Sequence, residues 1–312
     1  MHRPHLMSPK LPLDLSKWSV HRELSRCIPG LLRAEWWYLR NLKRPNPPVL
    51  NLGIKGYGLQ EFREISEFVV TALAIRVSRG IWGVSPTRDE LQRIILLTRE
   101  LSHQLRAQYT KQEIDSCATG AWPGLKEVLL YLLLRRNPVD IVIETGVAQG
   151  VSSFFLLNAL ETNRKGRLIS IDLPNRSPEG RLYPSGRRDP VYTKTGLEPG
   201  WLIPLNLRSR WELRLGPAQM LLPRLEVQPD LFLHDSLHTP DHMRFELDWA
   251  YDNVKRGGFI ACDDINWNNA FADFVNKHSP GDLTLLCGTN VGLCFKGTSS
   301  DLRASLGQEF KC

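Results

Sequence analysis

Apolar positions follow two different rhythms along the chain. Up to about residue 110 they recur with helical spacing, first in residues 60–80 and again in residues 85–110. Ser85 or Thr87 is expected to cap the second of these helices, with Pro86 near its first turn. The sequence therefore predicts a mainly helical N-terminal extension, assigned to residues 1–115.

From about Trp122, short β-branched and aromatic runs alternate with helical segments. The predicted strands are residues 140–144, 166–174, 211–216, 230–236, 256–265, 283–288 and 291–297. The predicted helices are residues 124–137, 151–163, 217–226, 239–254 and 268–278. Such alternation predicts an α/β fold: a Rossmann-like, doubly wound, mostly parallel sheet in residues 116–312. A short turn joins the last two strands, so at least one C-terminal strand is expected to run antiparallel.

Composition places the chain among ordinary globular proteins. Its longest apolar run, residues 128–134, is far shorter than the roughly 20 residues that span a bilayer. The first 18 residues lack the apolar core of a secretory signal, and the six cysteines show no CxxC or zinc spacing. We therefore expect a cytoplasmic protein with free thiols, and buried side chains for Cys262, Cys287 and Cys294.

The net charge of +7 lies entirely in the N-terminal part of the chain. Residues 1–120 hold 18 basic and 11 acidic side chains, whereas residues 121–312 hold 22 of each. A basic face meets nucleic acid, anionic lipid or acidic substrates in some proteins, and is a solvated helical surface in most. Because no compact basic cluster with interleaved aromatic residues is present, the sequence favours the solvated surface over nucleic acid.

The stretch "ETGVAQG" follows a predicted strand and precedes a predicted helix. Gly146 and Gly150 allow a tight turn and a close approach of the backbone to a ligand. Asp172 ends the next strand, at the spacing expected for an acceptor of ribose hydroxyls. The spacing of the glycines is not that of a dinucleotide loop, and Glu144 would suit a cationic ligand such as S-adenosylmethionine better than a pyrophosphate. The alternative is a tight structural turn.

These motifs resemble those of the class I S-adenosylmethionine-dependent methyltransferases. "ETGVAQG", "IDLP" and "GGFIACDDI" carry the resemblance, and "HDSLH" adds the D-S-x-H motif of the branch that includes cephalosporin hydroxylase-like and sugar O-methyltransferases. It covers residues 122–297, and it departs from the general pattern at Ala148, where a glycine is common. It implies these cofactor contacts: Glu144, Thr145, Gly146, Val147, Gly150, Ser152, Ser153, Asp172 and Gly216.

Three carboxylates follow two predicted strands that end at the same edge of the sheet. Asp235 follows the fourth strand, and Asp263 and Asp264 follow the fifth. Carboxylates brought together repel one another unless a proton or a cation is shared, and oxygen ligands suit Mg²⁺, Mn²⁺ or Ca²⁺. The resemblance implies the same three metal ligands, with Asn266 as an additional oxygen donor. The alternative is that Asp263 or Asp264 only caps the next helix, a role that Asn266 or Asn268 would also fill.

The resulting hypothesis is O-methylation of a small-molecule hydroxyl, on a sugar or a natural product, assisted by a divalent metal such as Mg²⁺. His238 is the candidate general base, with Asp235 beside it, and the alternative for His238 is a structural role. Trp201 and Trp267 are aromatic surfaces for the acceptor or, alternatively, packing residues. Two other functions stay open: a metal-dependent hydroxylase of the same fold, and a non-catalytic scaffold for nucleoside or RNA. A homo-oligomer is an open expectation.

Overall fold

The computed structural model describes residues 67–108, 124–174, 197–279, 281–288 and 291–306. The expectations for residues 1–66, for the boundary between the two predicted domains and for most of the segment 175–206 lie outside these ranges. The side chain of Cys287 lies outside them too. Cys262 and Cys294 are buried free thiols, as predicted.

Eight α-helices are present in the described ranges. They are α1 (Glu67–Trp82), α2 (Arg88–Gln108), α3 (Leu125–Arg136), α4 (Val151–Asn163), α5 (Ala218–Leu221), α6 (Pro240–Asn253), α7 (Ala270–His278) and α8 (Ser299–Leu306). The strands are β1 (Ile141–Thr145), β2 (Arg167–Asp172), β3 (Trp211–Leu215), β4 (Leu231–His234), β5 (Phe259–Cys262), β6 (Leu283–Gly288) and β7 (Gly292–Lys296). Residues 205–210 and 222–224 form short 3₁₀ turns. None of the described helices is long and apolar enough to cross a membrane.

One seven-stranded sheet organises the described chain. Its strand order is β3-β2-β1-β4-β5-β7-β6, and β1 to β5 are parallel. The antiparallel strand is β7, which pairs with both β5 and β6. The predicted doubly wound, mostly parallel sheet with an antiparallel C-terminal strand is therefore confirmed. The strand order reverses between β1 and β4, so the loops after these two strands diverge and open a crevice at the carboxyl edge.

The core lies on both faces of this sheet. Side chains of a strand alternate between its faces, and Val142 and Ile143 of β1 accordingly belong to two separate clusters of buried residues. Apolar residues of α1, α2, α3 and α4 fill the cluster of Val142, whereas those of α6 and α7 fill the other. The described part of the N-terminal extension thus buries its apolar face against the same core as the sheet.

Three local expectations need correction. The helix predicted for residues 217–226 ends at Leu221, because Pro223 has no N–H to donate and a 3₁₀ turn follows. Residues 200–207, for which the sequence also allows a helix, instead lead into a 3₁₀ turn at Leu205–Arg210. The last helix, α8, was not predicted.

Candidate active site

The loop after β1 is pressed against the end of β4. Gly146 has a φ of +81°, and a Cβ atom built on it would lie 2.0 Å from the carbonyl oxygen of Asp235. Gly150, at a φ of +97°, begins α4 in the same left-handed region. Both positions therefore require glycine, and the close approach at Gly146 leaves the crevice above the loop free of side chains from this position.

Asp172 fixes the shape of this loop from the end of β2. Its Oδ2 atom accepts hydrogen bonds from the backbone N–H groups of Val147 and Ala148, both at 2.9 Å. Ala148 has a φ of +46°, in the left-handed region that glycine adopts most easily. The residue that departs from the family pattern thus keeps the backbone shape of the usual glycine. Gly216, after β3, donates its N–H to the carbonyl of Asp172 at 2.8 Å.

The sequence analysis expected the carboxylate of Glu144 to face the ligand pocket, but in the structure it does not. Its side chain is fully buried, and it accepts hydrogen bonds from the hydroxyls of Ser152, Ser153 and Ser170. Burial raises the pKa of Glu144, and these three hydroxyls oppose that rise. Glu144, Ser152 and Ser153 therefore join β1 to the first turn of α4 beneath the loop, and any effect of theirs on a cofactor acts through the loop.

A second buried carboxylate, Glu246 of α6, organises the ends of β1 and β4. Its Oε2 atom lies 2.5 Å from both Thr145 Oγ1 and His234 Nδ1. Its Oε1 atom lies 2.9 Å from Ser236 Oγ and 2.7 Å from His242 Nε2. Burial raises the pKa of Glu246, but the two histidines outweigh burial and hold the pKa far below its ordinary value.

Lys126, from the first turn of α3, joins the two strand ends that carry the predicted carboxylates. Its Nζ atom lies 2.5 Å from Asp235 Oδ2 and 2.7 Å from Asp263 Oδ2. Glu127 Oε1 lies 3.6 Å from the same nitrogen. Burial opposes the charge of Lys126, but Asp235 and Asp263 outweigh burial and raise the pKa of its ammonium well above the ordinary value. The ammonium of Lys126 is therefore charged at neutral pH.

The three aspartates respond differently to this cation. Burial raises the pKa of Asp235, and the charge of Asp263 adds to that rise. For Asp263 the charge of Lys126 outweighs burial, and its pKa is lowered. Burial and the charge of Asp263 raise the pKa of Asp264 to about 7. Asp264 also has a left-handed backbone, with a φ of +49°.

His238 precedes α6 and lies beside Trp267, with 5.2 Å between the ring centres. Burial and the neighbouring His234 lower the pKa of His238 to about 3, so the imidazole is neutral across the physiological range. Its Nε2 atom is buried and has no hydrogen-bond partner among the described residues. Trp267 itself is 60% exposed. A pKa this low makes the imidazole a weak base. The role of His238 as general base stays a prediction.

The predicted divalent metal does not fit this arrangement. An ammonium lies at hydrogen-bonding distance from the oxygens of Asp235 and Asp263 that a metal ion would need, and it has no lone pair to offer as a ligand. Within the described ranges, no three His, Cys, Asp or Glu side chains are grouped so that they could hold a metal ion. The carboxylates are neighbours, as the sequence predicted, but a lysine joins them.

Sequence reasoning missed Lys126 and Glu246. Lys126 leaves a signal, because a cation in the first turn of a helix opposes the helix dipole, and the rest of this turn is apolar or acidic. Glu246 leaves a weaker signal as a carboxylate on the buried face of α6. Neither signal names a partner, since Lys126 and its two aspartates are 109 and 137 residues apart in sequence.

Comparisons with known proteins agree with this geometry at the level of the domain. Residues 143–265 match the model of a family described as a methyltransferase domain. These residues contain the loop after β1, Asp172 and all three aspartates. The comparison with curated proteins found no match.

Several solved structures are similar to the chain, at low identity. The O-methyltransferase NovP is 17% identical, with a TM-score of 0.47 over 67% of this chain and 100% of its own. TomG, an O-methyltransferase from Streptomyces achromogenes that is involved in tomaymycin synthesis, is 17% identical, with a TM-score of 0.41 over 75% of this chain and 100% of its own. The Podospora anserina methyltransferase PaMTH1 is 14% identical, with a TM-score of 0.41 over 68% of this chain and 98% of its own.

The family match confirms the resemblance that the sequence motifs indicated. It runs from Ile143, within β1, to just beyond the end of β5, and includes the loop, the acidic residue of β2 and the carboxylate pair. Residues 143–265 of this chain therefore match a methyltransferase domain.

Proposed function

We propose that the chain transfers the methyl group of S-adenosylmethionine to a hydroxyl oxygen of a small molecule. The observation that carries the proposal is the loop of residues 146–150, which presses against Asp235 and is tied to Asp172. This loop lies within a domain that matches methyltransferases.

The described residues fit a nucleoside-containing cofactor. Asp172 ends β2 beside the loop, the position from which an acidic residue accepts hydrogen bonds from ribose hydroxyls in folds of this kind. Leu173 follows β2 and is 43% exposed, and Leu215 ends the paired strand β3 and is 44% exposed. These exposed leucines, one next to Asp172 in sequence and one paired with it across the strands, are the proposed apolar contacts for a nucleobase. Gly146 and Gly216 add backbone without side chains at the same edge, and the side chain of Val147 is buried away from it.

When bound, S-adenosylmethionine supplies a methyl group on a positively charged sulfur, which the acceptor oxygen takes as its hydroxyl proton is released. The chain has to hold the acceptor oxygen in line with this methyl group, which is a proximity effect worth several kcal/mol. His238 is the predicted acceptor of the proton, through its unpartnered Nε2 atom. Asp263, whose pKa is lowered by the charge of Lys126, is an ionised neighbour of this neutral imidazole.

The acceptor itself is proposed to be a sugar or another ring-bearing natural product. Trp267 supports this part, because its exposed ring lies next to His238, beyond the carboxyl end of β5. An exposed indole stacks on flat rings and on the apolar faces of sugars. The divalent metal that the resemblance implies has no part in the proposal, because Lys126 already binds two of its three predicted ligands, Asp235 and Asp263.

Calorimetric titration of S-adenosylmethionine tests the proposal. The wild-type protein is expected to bind, and Asp172→Ala is expected to bind at least about tenfold more weakly, through the loss of charge-assisted hydrogen bonds. Asp241→Ala is the matched control, since Asp241 is an aspartate with a fully exposed side chain on α6. Circular dichroism has to show that both variants are folded.

Methyl transfer is then measured with labelled cofactor and a panel of sugars, phenols and other hydroxyl compounds. Product formation that depends on Asp172 supports the proposal. Failure of the folded wild-type protein to bind the cofactor contradicts it. Binding without transfer to any hydroxyl compound favours the scaffold or hydroxylase alternative.

A further inference from the structure

Lys126 lies where the resemblance to metal-dependent methyltransferases places a divalent ion. Its ammonium is within 2.7 Å of one carboxylate oxygen from Asp235 and one from Asp263. These residues follow β4 and β5, the two neighbouring strands at the centre of the carboxyl edge. The lysine side chain is only 14% exposed, so solvent does not screen the contact strongly.

The ammonium and a divalent ion exclude each other at this position. Both bind the same carboxylate oxygens, and a metal held by Asp235 and Asp263 would lie within a few ångströms of Nζ. Two cations at such a distance repel each other strongly in a partly buried site. Glu127, 3.6 Å from Nζ, adds a third negative neighbour that holds the lysine in place.

The position of Lys126 in its helix supports a specific role. The first turn of an α-helix favours acidic residues, because the exposed N–H groups carry partial positive charge. Lys126 opposes this preference, and apolar buried residues follow it along α3. Its partners are 109 and 137 residues away in the sequence. The fold therefore brings the ammonium to the two carboxylates, although a cation at this position destabilises the helix locally.

We infer that Lys126 replaces the divalent ion in this chain, as a fixed cation that holds Asp235 and Asp263 at the carboxyl edge of the sheet. This inference rests on the proposed function. If the chain is a methyltransferase, its methyl transfer proceeds without added metal. Lys126 is then a positioning residue, which acts through the two aspartates beside the acceptor site.

Binding of Mn²⁺ tests the inference without any measurement of catalysis. Free Mn²⁺ gives a six-line electron paramagnetic resonance spectrum that fades on binding, so titration reports the affinity of the site. The proteins to compare are the wild type, the single variants Lys126→Met, Lys126→Arg and Asp263→Asn, and the double variant Lys126→Met/Asp263→Asn. Lys165→Met is the matched control, since Lys165 forms a surface ion pair with Asp140.

The wild type, Lys126→Arg and Lys165→Met are expected to leave Mn²⁺ free at millimolar concentration. Lys126→Met is expected to bind it roughly tenfold more tightly or better, and the added Asp263→Asn to reverse that gain, because carboxylates without a cation attract a divalent ion. Lys126→Gln, a second neutral replacement with the same expected gain, covers the case in which Lys126→Met does not fold, whereas Lys126→Arg keeps the positive charge and is a control.

Two results would overturn the inference. One is Mn²⁺ binding by the wild type at one ion per chain, abolished by Asp263→Asn. The other is equally weak binding by the wild type and folded Lys126→Met. Titration of S-adenosylmethionine into the same preparations, with and without a chelator, separates failure of this inference from failure of the proposed function. Cofactor binding lost only with the chelator contradicts the inference, whereas no cofactor binding in either condition contradicts the function.

Discussion

Glu246→Leu removes a fully buried carboxylate that lies within 2.5 to 2.9 Å of four side chains. Leucine has a similar volume, so the loss is mainly of hydrogen bonds and leaves little cavity. Each hydrogen bond to a charged group contributes roughly 1.5–3 kcal/mol, but contributions within one network do not add. Removing one partner of a buried charged network typically costs about 3–5 kcal/mol, and we expect a loss of that size in the free energy of unfolding.

Urea unfolding at pH 7, followed by circular dichroism, measures this loss. Glu246→Gln keeps the shape and two acceptor sites, so we expect a smaller loss of about 1–2 kcal/mol. Glu161→Leu is the control, because Glu161 makes a half-exposed ion pair with Arg210, and such pairs are worth roughly 0–1 kcal/mol. A loss below about 1 kcal/mol for folded Glu246→Leu, at an unchanged m value, would refute the reasoning.

The same network predicts a pH dependence. The pKa of Glu246 in the folded protein lies well below the value of about 4.3 expected in the unfolded chain. The unfolded state therefore binds more protons in acid, so the stabilisation is present above about pH 4.3 and is lost as the pH falls. The gap in stability between wild type and Glu246→Gln should accordingly shrink below that pH. A gap that stays constant between pH 7 and pH 3 would show that Glu246 is not held ionised by its partners.

Three further predictions concern the loop and the aspartates. Ala148→Gly should raise the free energy of unfolding by up to about 1 kcal/mol, because it relieves a left-handed alanine; a loss in urea unfolding would contradict this. Gly146→Ala should lower the melting temperature and weaken cofactor binding in calorimetry, because its Cβ would collide with the backbone of Asp235; unchanged values would contradict the close approach. Asp264→Asn should be more stable than wild type by about 1–3 kcal/mol at pH 8, and this gain should vanish near pH 4. The reason is that the pKa of Asp264 is raised to about 7 in the folded protein, so the stability of the wild type falls as the pH rises from about 4 to 7. Urea unfolding at the two pH values checks this, and an equal gain at both would contradict it.

The elements of the fold were predictable because their signals are local. β1 to β5 and α4 follow from runs of apolar residues bounded by glycine, proline and polar residues. α8 was missed because its apolar spacing is weak, although Thr298 and Asp301 exchange the two hydrogen bonds of a capping box at its start. A search for that pattern would have found it.

The site was predictable only in part, for a related reason. Asp235 and Asp263 each follow a strand of the parallel sheet, so their position at the same edge could be predicted from the order of the strands alone. The sequence analysis predicted the wrong direction for the side chain of Glu144. A polar residue in a fully buried strand does not indicate on which face of the sheet its hydrogen-bond partners lie. The hydroxyls of α4 and of the neighbouring strand decide that direction, and they are tertiary neighbours.

The electrostatics of the three aspartates show why a motif does not identify the cation that balances it. A carboxylate cluster needs positive charge or protons, and the sequence motif specifies only the carboxylates. In this fold α3 supplies a single ammonium, which lies against Asp235 and Asp263. One charge does not neutralise three carboxylates, so Asp264, which is raised by burial and by Asp263, keeps a pKa of about 7. A divalent ion would instead lower the pKa of every carboxylate around it. The high pKa of Asp264 and the contact of Lys126 are therefore two consequences of the same arrangement, in which a single charge from the chain itself serves the site.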